Sequence, residues 1–523
     1  MTSPSTAVLD PLDAPDPGVY VPPAVPSPPP DLLAADPVGL AGLTRLVNEL
    51  VRAASSGLRR RSGPLPSMTP QEYAARTAAW FSDGVLPEQG RGVAALPPLA
   101  RWYAEGTVDL SDPVTAAHLQ PPALTVAVAA DVLVNAFNAS VDTWDSGPSA
   151  VELERYVVAE LARLVGYGPT AGGVFTSGGT ASNLHALLLA RDLAQNPAVD
   201  PGLPRVVLCS TAAHFSVARA CAVLGLGEDA VVTVEVDASW RMRPDALDAA
   251  LRDLAGRALP VAVVATAGTT DFGSVDPLPD IVEVVRRHGV RLHVDAAYGG
   301  GALFSDRLRP LLDGVAEADS ITLDLHKTAW QPAAASVLLV RDEADFALHN
   351  RRVAYLNPAD DGEAGYDGLL GHSLATTRRA DAFKVAATFL ALGRRGLGRL
   401  MDICHDLARY AAGRIAAHPR LELTTDTPTL TTVVFRYRCD DPHRSDRVNG
   451  ALRRRLMRSG TALIGRTCLP GRPGAPRADG GWTGEAEPGS VRLKLTLLNP
   501  QTRPYDIDQL LDMVVAAGDE EDR

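Results

Sequence analysis

Arg291-Leu-His-Val-Asp295-Ala-Ala-Tyr298 and Asp319-Ser-Ile-Thr-Leu-Asp-Leu-His326-Lys327 each run from apolar, β-branched residues into a charged end. An acid closes the first stretch, and a His-Lys pair closes the second 32 residues later. Both stretches predict short buried strands, and unpaired Asp or Lys is costly to bury, so the two charged ends mark a site. Pyridoxal phosphate (PLP) chemistry needs this combination. A lysine amine forms a Schiff base with the cofactor aldehyde, and a carboxylate keeps the pyridine nitrogen protonated so that the ring accepts electrons.

Outward from these strands, short apolar runs recur at Val206–Cys209, Val261–Ala265, Ile321–Leu323 and Ser336–Val340, with helical stretches at Ser182–Leu193, Pro244–Leu254 and Leu278–His288 between several of them. Continuous apolar strands separated by helices predict an α/β domain whose largely parallel sheet is covered on both faces. Ser149-Ala-Val-Glu152 has the form of a capping box opening a helix to about Leu164. After about residue 395, a helix (Leu397–Ala417) leads into strands near Leu430–Tyr437, a Gly-rich loop at 471–488 and a closing strand Val491–Leu497, the pattern of a smaller α+β domain. Ahead of the sheet, Leu40, Leu43, Val47, Leu50 and Val51 recur at helix spacing, and Pro122–Phe137 has the composition of a core helix. The first 37 residues hold eleven prolines, a composition that predicts a disordered tail. The expected organisation is therefore a tail (1–37), a helical segment (38–138), a large domain (139–395) and a small C-terminal domain (396–523).

The chain has 523 residues and a net charge of −12, which disfavours nucleic acid and anionic membranes as partners. The basic run Leu58–Ser62 is expected to be a solvated loop. Five scattered cysteines without a C-x-x-C pair, and histidines without ligand spacing, predict no metal site, no disulfide framework and a cytoplasmic location. No Lys or Arg precedes Arg45, so no signal peptide is expected.

Ser177-Gly178-Gly179-Thr180 follows an apolar run and opens a helix, which suits a phosphate cradle: glycine lets the backbone approach, and the helix start offers free N–H groups. His214 comes just after the strand Val206–Cys209, where a ring can stack on a flat cofactor. With these residues in view, the chain resembles the group II PLP-dependent amino-acid decarboxylases. That family includes aromatic-amino-acid, glutamate, 2,4-diaminobutyrate and siderophore-type lysine decarboxylases. The matching segments include Ser140-Val-Asp-Thr-Trp-Asp145, Val174-Phe-Thr-Ser-Gly-Gly-Thr-Ala-Ser-Asn183, Ala265-Thr-Ala-Gly-Thr-Thr270, the two opening stretches, Tyr355-Leu-Asn-Pro358 and Leu495-Thr-Leu-Leu-Asn-Pro500.

The resemblance implies a PLP-dependent transferase fold of type I (aspartate-aminotransferase-like), working as a homodimer with its active sites at the interface. It also implies that residues 38–138 serve dimerisation and part of the pocket. Carried over by position, it makes Lys327 the Schiff-base lysine, Asp295 the partner of the ring nitrogen, and His214 and Ala297 the two faces of the cofactor's binding slot. Ser177, Gly178, Gly179, Thr180, Asp324 and His326 would hold phosphate or frame the ring, with Thr266 at its edge. Asp324 departs from the Asn of the aromatic and glutamate enzymes and matches the diamino-acid branch. Tyr355 would protonate the Cα carbanion, which favours an amine product over an aldehyde. His118, Gln120, Trp330 and Arg352 are expected in the substrate pocket. The segments around Ser140, His326–Pro332 and Thr376–Arg379 resemble the diamino-acid branch, whereas Gln120, Trp330, Ala333–Ala335, Arg352 and Ala380 depart from it. The expected reaction is decarboxylation of a basic diamino acid (lysine, ornithine or 2,4-diaminobutyrate). The alternatives are an aromatic or other non-basic substrate, an aldehyde-forming variant, an aminotransferase or a non-catalytic scaffold.

Overall fold

The computed structural model describes residues 29–194, 202–469 and 490–523. Most of the proline-rich tail and the Gly-rich stretch at 471–488 lie outside them. The chain divides into two compact units, Met1–Asn48 and Glu49–Arg523. In the first, the Asp36 carboxylate accepts the N–H groups of Val38 and Gly39 at 2.8 and 2.9 Å, capping the start of helix Pro37–Leu58.

The second unit contains two sheets. Its strands in chain order are β1 (Thr115–Ala116), β2 (Gly172–Thr176), β3 (Arg205–Ser210), β4 (Val231–Val234), β5 (Leu259–Thr266), β6 (Leu292–Asp295), β7 (Ser320–Asp324), β8 (Ser336–Val340), β9 (Leu421–Leu423), β10 (Thr432–Tyr437), β11 (Leu463–Cys468) and β12 (Val491–Thr496). The larger sheet has the order β2-β8-β7-β6-β5-β3-β4. Only β8 runs against the others. Both faces are covered, as the unbroken apolar strands predict. Along β5, Val263 and Ala265 pack into one core cluster while Ala262 and Val264 pack into another, the two-residue period of a strand buried on both sides.

The smaller sheet has the order β1-β11-β12-β10-β9, with its own core that includes Phe435, Tyr437, Leu452, Ile464 and Leu493. It draws β1 from far upstream, paired in parallel with β11. The sequence held no sign of this, because two residues carry no periodicity.

Several local expectations are corrected. The helix expected from a capping box at Ser149 runs Pro148–Val165 with Gly147 as its N-cap and no side-chain cap. Pro148 has φ already suited to a first helical turn, so the helix starts early and Ser149 falls inside it. The helix expected from Leu397 begins at Ala382 and reaches Ala417, interrupted at Gly393 (φ 64°, ψ 172°). The expected core helix near Pro122–Phe137 forms over Thr125–Phe137, yet only Ala127, Ala130 and Val134 of it are buried. Val128, Leu133 and Phe137 are exposed, as is Val51 in the first helix. The basic run at 58–62 is not simply solvated. The Arg61 side chain is buried, donates to the Thr107 carbonyl and faces Asp109 at 3.7 Å, while Arg60 pairs with Glu105 at 3.0 Å.

Candidate active site

The parallel strands converge their C-terminal ends on one place, the position where ligands bind in open α/β sheets. β5 ends in Thr266, β6 in Asp295 and β7 in Asp324, while Ser177–Thr180 follow β2 and His214 follows β3. Lys327 follows at once, on a four-residue helix, Leu325–Thr328.

Asp295 is 6% exposed and holds two donors: Asn183 Nδ2 at 2.8 Å on Oδ2 and the Ala297 N–H at 3.1 Å on Oδ1. Asn183 is the residue whose role the sequence left unread. Its Oδ1 accepts from Thr322 Oγ1 at 2.8 Å and lies 3.0 Å from His293 Nε2. An amide oxygen only accepts, so His293 carries its proton on Nε2, and Ser320 Oγ can donate to His293 Nδ1 at 2.9 Å. Burial pushes His293 down to about 4, against the opposing pull of Asp295, so the ring is neutral behind the carboxylate. The signal for Asn183 was its place four residues after Gly179, on the same helix face.

Lys327 Nζ lies 2.9 Å from Asp324 Oδ2, with the Asp324 side chain 2% exposed. His326 Nδ1 is 2.9 Å from the Ala335 carbonyl, and its Nε2 stands 3.7 Å from Asp324. His214 Nδ1 lies 2.9 Å from Ser216 Oγ. Burial and the Lys327 charge hold His214 below the usual histidine range, while Asp295 and Asp324 oppose them.

The residues present fit PLP. A Cβ on Gly179 would stand 3.0 Å from Asp324 Oδ2 and 3.1 Å from the Ala297 methyl, so the cradle at the helix start depends on glycine. Helix Gly179–Leu193 has no side-chain N-cap, which leaves its first N–H groups for an anion. Ser177 and Thr180 are exposed at the rim of this cradle. Asp324 Oδ1 and Thr266 Oγ1 are buried without a protein partner.

The model matched over residues 103–438 is that of the pyridoxal-dependent decarboxylase conserved domain. The chain belongs to the pyridoxal-dependent decarboxylase family. It is 43% identical over 433 residues to an L-2,4-diaminobutyrate decarboxylase of Rhizobium meliloti (strain 1021), covering 82% of this chain and 83% of that one. A second L-2,4-diaminobutyrate decarboxylase, from Acinetobacter baumannii, is 34% identical over 514 residues, covering 93% and 95%. Among solved structures, the glutamate decarboxylase domain of a Vibrio parahaemolyticus diaminobutyrate-pyruvate transaminase and L-2,4-diaminobutyrate decarboxylase superposes with a TM-score of 0.80 at 29% identity, covering 93% and 98%. This chain is thus a PLP-dependent amino-acid decarboxylase of fold type I.

The decarboxylase does not gather every expected residue in one chain. His118 and Gln120 line a small open pocket with Leu463, Thr496, Leu498 and Asn499. Burial lowers His118, and the charges of Arg453 and Lys494 lower it further. Trp330 is a core side chain, 1% exposed, whose indole N–H donates to the Leu498 carbonyl at 2.8 Å. Arg352 turns back on its own loop, 3.6 Å from Asp367. Tyr355 is 83% exposed, and its hydroxyl has no partner among the described residues.

Proposed function

We propose that the substrate is L-2,4-diaminobutyrate and the product 1,3-diaminopropane, with release of CO2. Identity of 43% across 82% of the chain to a decarboxylase named for that substrate carries the reading. It agrees with the resemblance of the segments around Ser140, His326 and Arg379 to the diamino-acid branch.

The roles assigned to the site residues belong to the same proposal. Bound PLP supplies an electron sink for the pair left when the Cα–carboxylate bond breaks. Lys327 is the amine that holds the cofactor aldehyde. Asp295, oriented by Asn183 and the Ala297 N–H, would hold a proton on the ring nitrogen. His214 covers one ring face and Ala297 the other. Gly178, Gly179, Ser177 and Thr180 bind the phosphate, with Thr266, Asp324 and His326 framing the ring. His118, Gln120, Trp330 and Arg352 shape the side-chain pocket, Trp330 from within the core. Tyr355 returns a proton to Cα.

The reading includes a homodimer with interface sites. Supporting it are the exposed apolar residues Val128, Leu133, Phe137 and Leu390 and the solvent-facing Tyr355, a combination unusual for a surface that stays bare. A cytoplasmic location is proposed from the five free thiols. Among the described residues, no helix is long and apolar enough to cross a membrane.

The test is a mass-spectrometric product screen of PLP-loaded enzyme against 2,4-diaminobutyrate, ornithine, lysine, glutamate and tyrosine, with Lys327→Ala as control. 1,3-Diaminopropane formed fastest, and lost in the control, is the expected result. Faster turnover of any other amino acid overturns the substrate assignment while leaving the reaction class standing.

A further inference from the structure

A diamino acid carries a second ammonium, and a pocket that selects it needs a negative charge outside the cofactor cradle. None of His118, Gln120, Trp330 and Arg352 supplies one. Three carboxylates act on His214: Asp295, Asp324 and Asp271. Asp295 is engaged by Asn183 and the Ala297 N–H, and Asp324 faces Lys327. Asp271 stands apart from both, in the loop that leaves β5, with its side chain 46% exposed. Its Oδ1 accepts from Lys494 Nζ at 3.0 Å, and Lys494 donates also to the Thr270 carbonyl at 3.1 Å. Its Oδ2 has no protein partner among the described residues. The loop is tightly braced. Ala267 and Val275 pair across it, the Gly273 N–H donates to the Thr269 carbonyl at 2.8 Å, and Thr269 Oγ1 lies 2.7 Å from Ser274 Oγ. Buried Asp276 anchors its base by accepting the Thr266 and Met242 N–H groups, each at 2.7 Å. Phe272, beside Asp271, stacks on Trp240 with ring centroids 4.1 Å apart. Lys494 belongs to β12, and its charge acts on His118. Asp271 thus links the His214 side of the cofactor site, through Lys494, to the pocket at His118.

We propose that Asp271 recognises the second amine of the substrate, its Oδ2 accepting a charge-assisted hydrogen bond from that ammonium. The assignment rests on the reading of the substrate as a diamino acid and deepens it by naming the group that selects it. Bracing of the loop holds the carboxylate in place before the substrate arrives, so little freedom is lost on binding. Lys494 offsets part of the carboxylate's charge in the empty pocket and fixes Oδ1, which leaves Oδ2 for the ligand. Selection is then by charge, since an amino acid with the same carbon chain but no second amine leaves that oxygen unpaired. No bond is made or broken at Asp271, which acts on binding and not on the chemistry at Cα.

The test measures kcat/KM of the holoenzyme for 2,4-diaminobutyrate and for 2-aminobutyrate, which keeps the carbon chain and lacks only the second amine. The wild type is expected to prefer the diamino acid by more than about tenfold. Asp271→Asn keeps the shape and removes the charge. It is expected to lower kcat/KM for the diamino acid by about tenfold to a hundredfold while leaving 2-aminobutyrate within about twofold. Inhibition by 1,3-diaminopropane should weaken with it, and inhibition by propylamine should not. Lys494→Met breaks the same ion pair but keeps the carboxylate, so most of the preference should remain. A purely structural role would lower both substrates together, with Lys494→Met matching Asp271→Asn. Either result overturns the proposal, as does an Asp271→Asn enzyme that retains the wild-type preference. Loss of PLP from both Asp271→Asn and Asp271→Ser also overturns it, since the side chain would then hold the loop rather than the ligand. Equal wild-type turnover of the two substrates overturns it whatever the variants do. Failure of the substrate reading is distinct: it would show as wild-type enzyme preferring glutamate or tyrosine, and it would take this proposal with it.

Discussion

At the scale of single residues, the site turns on Asn183. Its amide links Asp295, Thr322 and His293, all 6% exposed or less. Asn183→Ala would leave four buried polar groups, Ser216 included, each short of a partner. The expected cost is about 2–5 kcal/mol, with weaker PLP retention, checked by urea unfolding and by cofactor dissociation on dilution. The placement of Lys327, Asp295 and His214 at strand ends was legible because charge or aromaticity there is conspicuous in sequence. Asn183 was not, because its partners lie far along the chain, Ser216 33 residues away and Asp295, His293 and Thr322 110 or more. Histidine burial adds a pH signature. His185 and His293 are each pushed down to about 4 by desolvation, whereas an unfolded histidine titrates near about 6.5. Between those values the unfolded chain binds more protons than the folded one, so stability rises with pH there and is lost as pH falls from about 6.5 to about 4. Urea midpoints at pH 4.5, 5.5 and 6.5 should fall with acidity. His185→Phe, which replaces a ring packed on Phe346 and His349 whose Nε2 has no partner, should flatten the slope.

At the scale of elements, punctuation decided what could be read. Pro244–Leu254 and Leu278–His288 have the bounds expected of them, since proline sets the starts and Gly289 ends the second in left-handed backbone. The break at Gly393 was not legible, because a glycine within a good helical pattern gives no sign of which φ it will adopt. The direction of β8 was within reach. Residues 325–335 are too few for a crossover to a parallel neighbour, so an antiparallel return was the only short route. That return carries Trp330, held in left-handed backbone at φ 52°. Its carbonyl accepts from Leu124 N at 2.9 Å and its indole donates to the Leu498 carbonyl. Trp330→Phe is expected to keep most of the packing but strand that carbonyl, at a cost of about 1–3 kcal/mol. A shift in the urea midpoint no larger than that of a surface control would show that the indole N–H carries none of this stability.

At the scale of the whole molecule, the exposure of Tyr355 sets the clearest expectation. If Tyr355 serves the partner's site, a heterodimer of Lys327→Ala and Tyr355→Phe chains contains one site with both residues intact. Mixing the two inactive or misdirected variants in equal amounts under exchange should then restore amine formation to roughly a quarter of the wild-type rate, since about half of the dimers are mixed and each has one intact site of two. A flat response together with a monomeric mass in solution would remove the interface from the account. Most of the large sheet was legible because its inner strands are continuously apolar, whereas the edge strand β4, whose first three residues are not buried, was not read. The small sheet was legible only in part, since β1 is a two-residue graft from upstream. That graft bears on how the protein is made. Thr115 and Ala116 leave the ribosome long before Leu463 and Ile464, the residues they pair with. A nascent chain can therefore assemble the large sheet, with its lysine and acid, while the stretch bearing His118 and Gln120 still waits for its anchor. Chains halted before residue 463 would be expected to assemble the large sheet without the pocket that His118 and Gln120 line with Leu463.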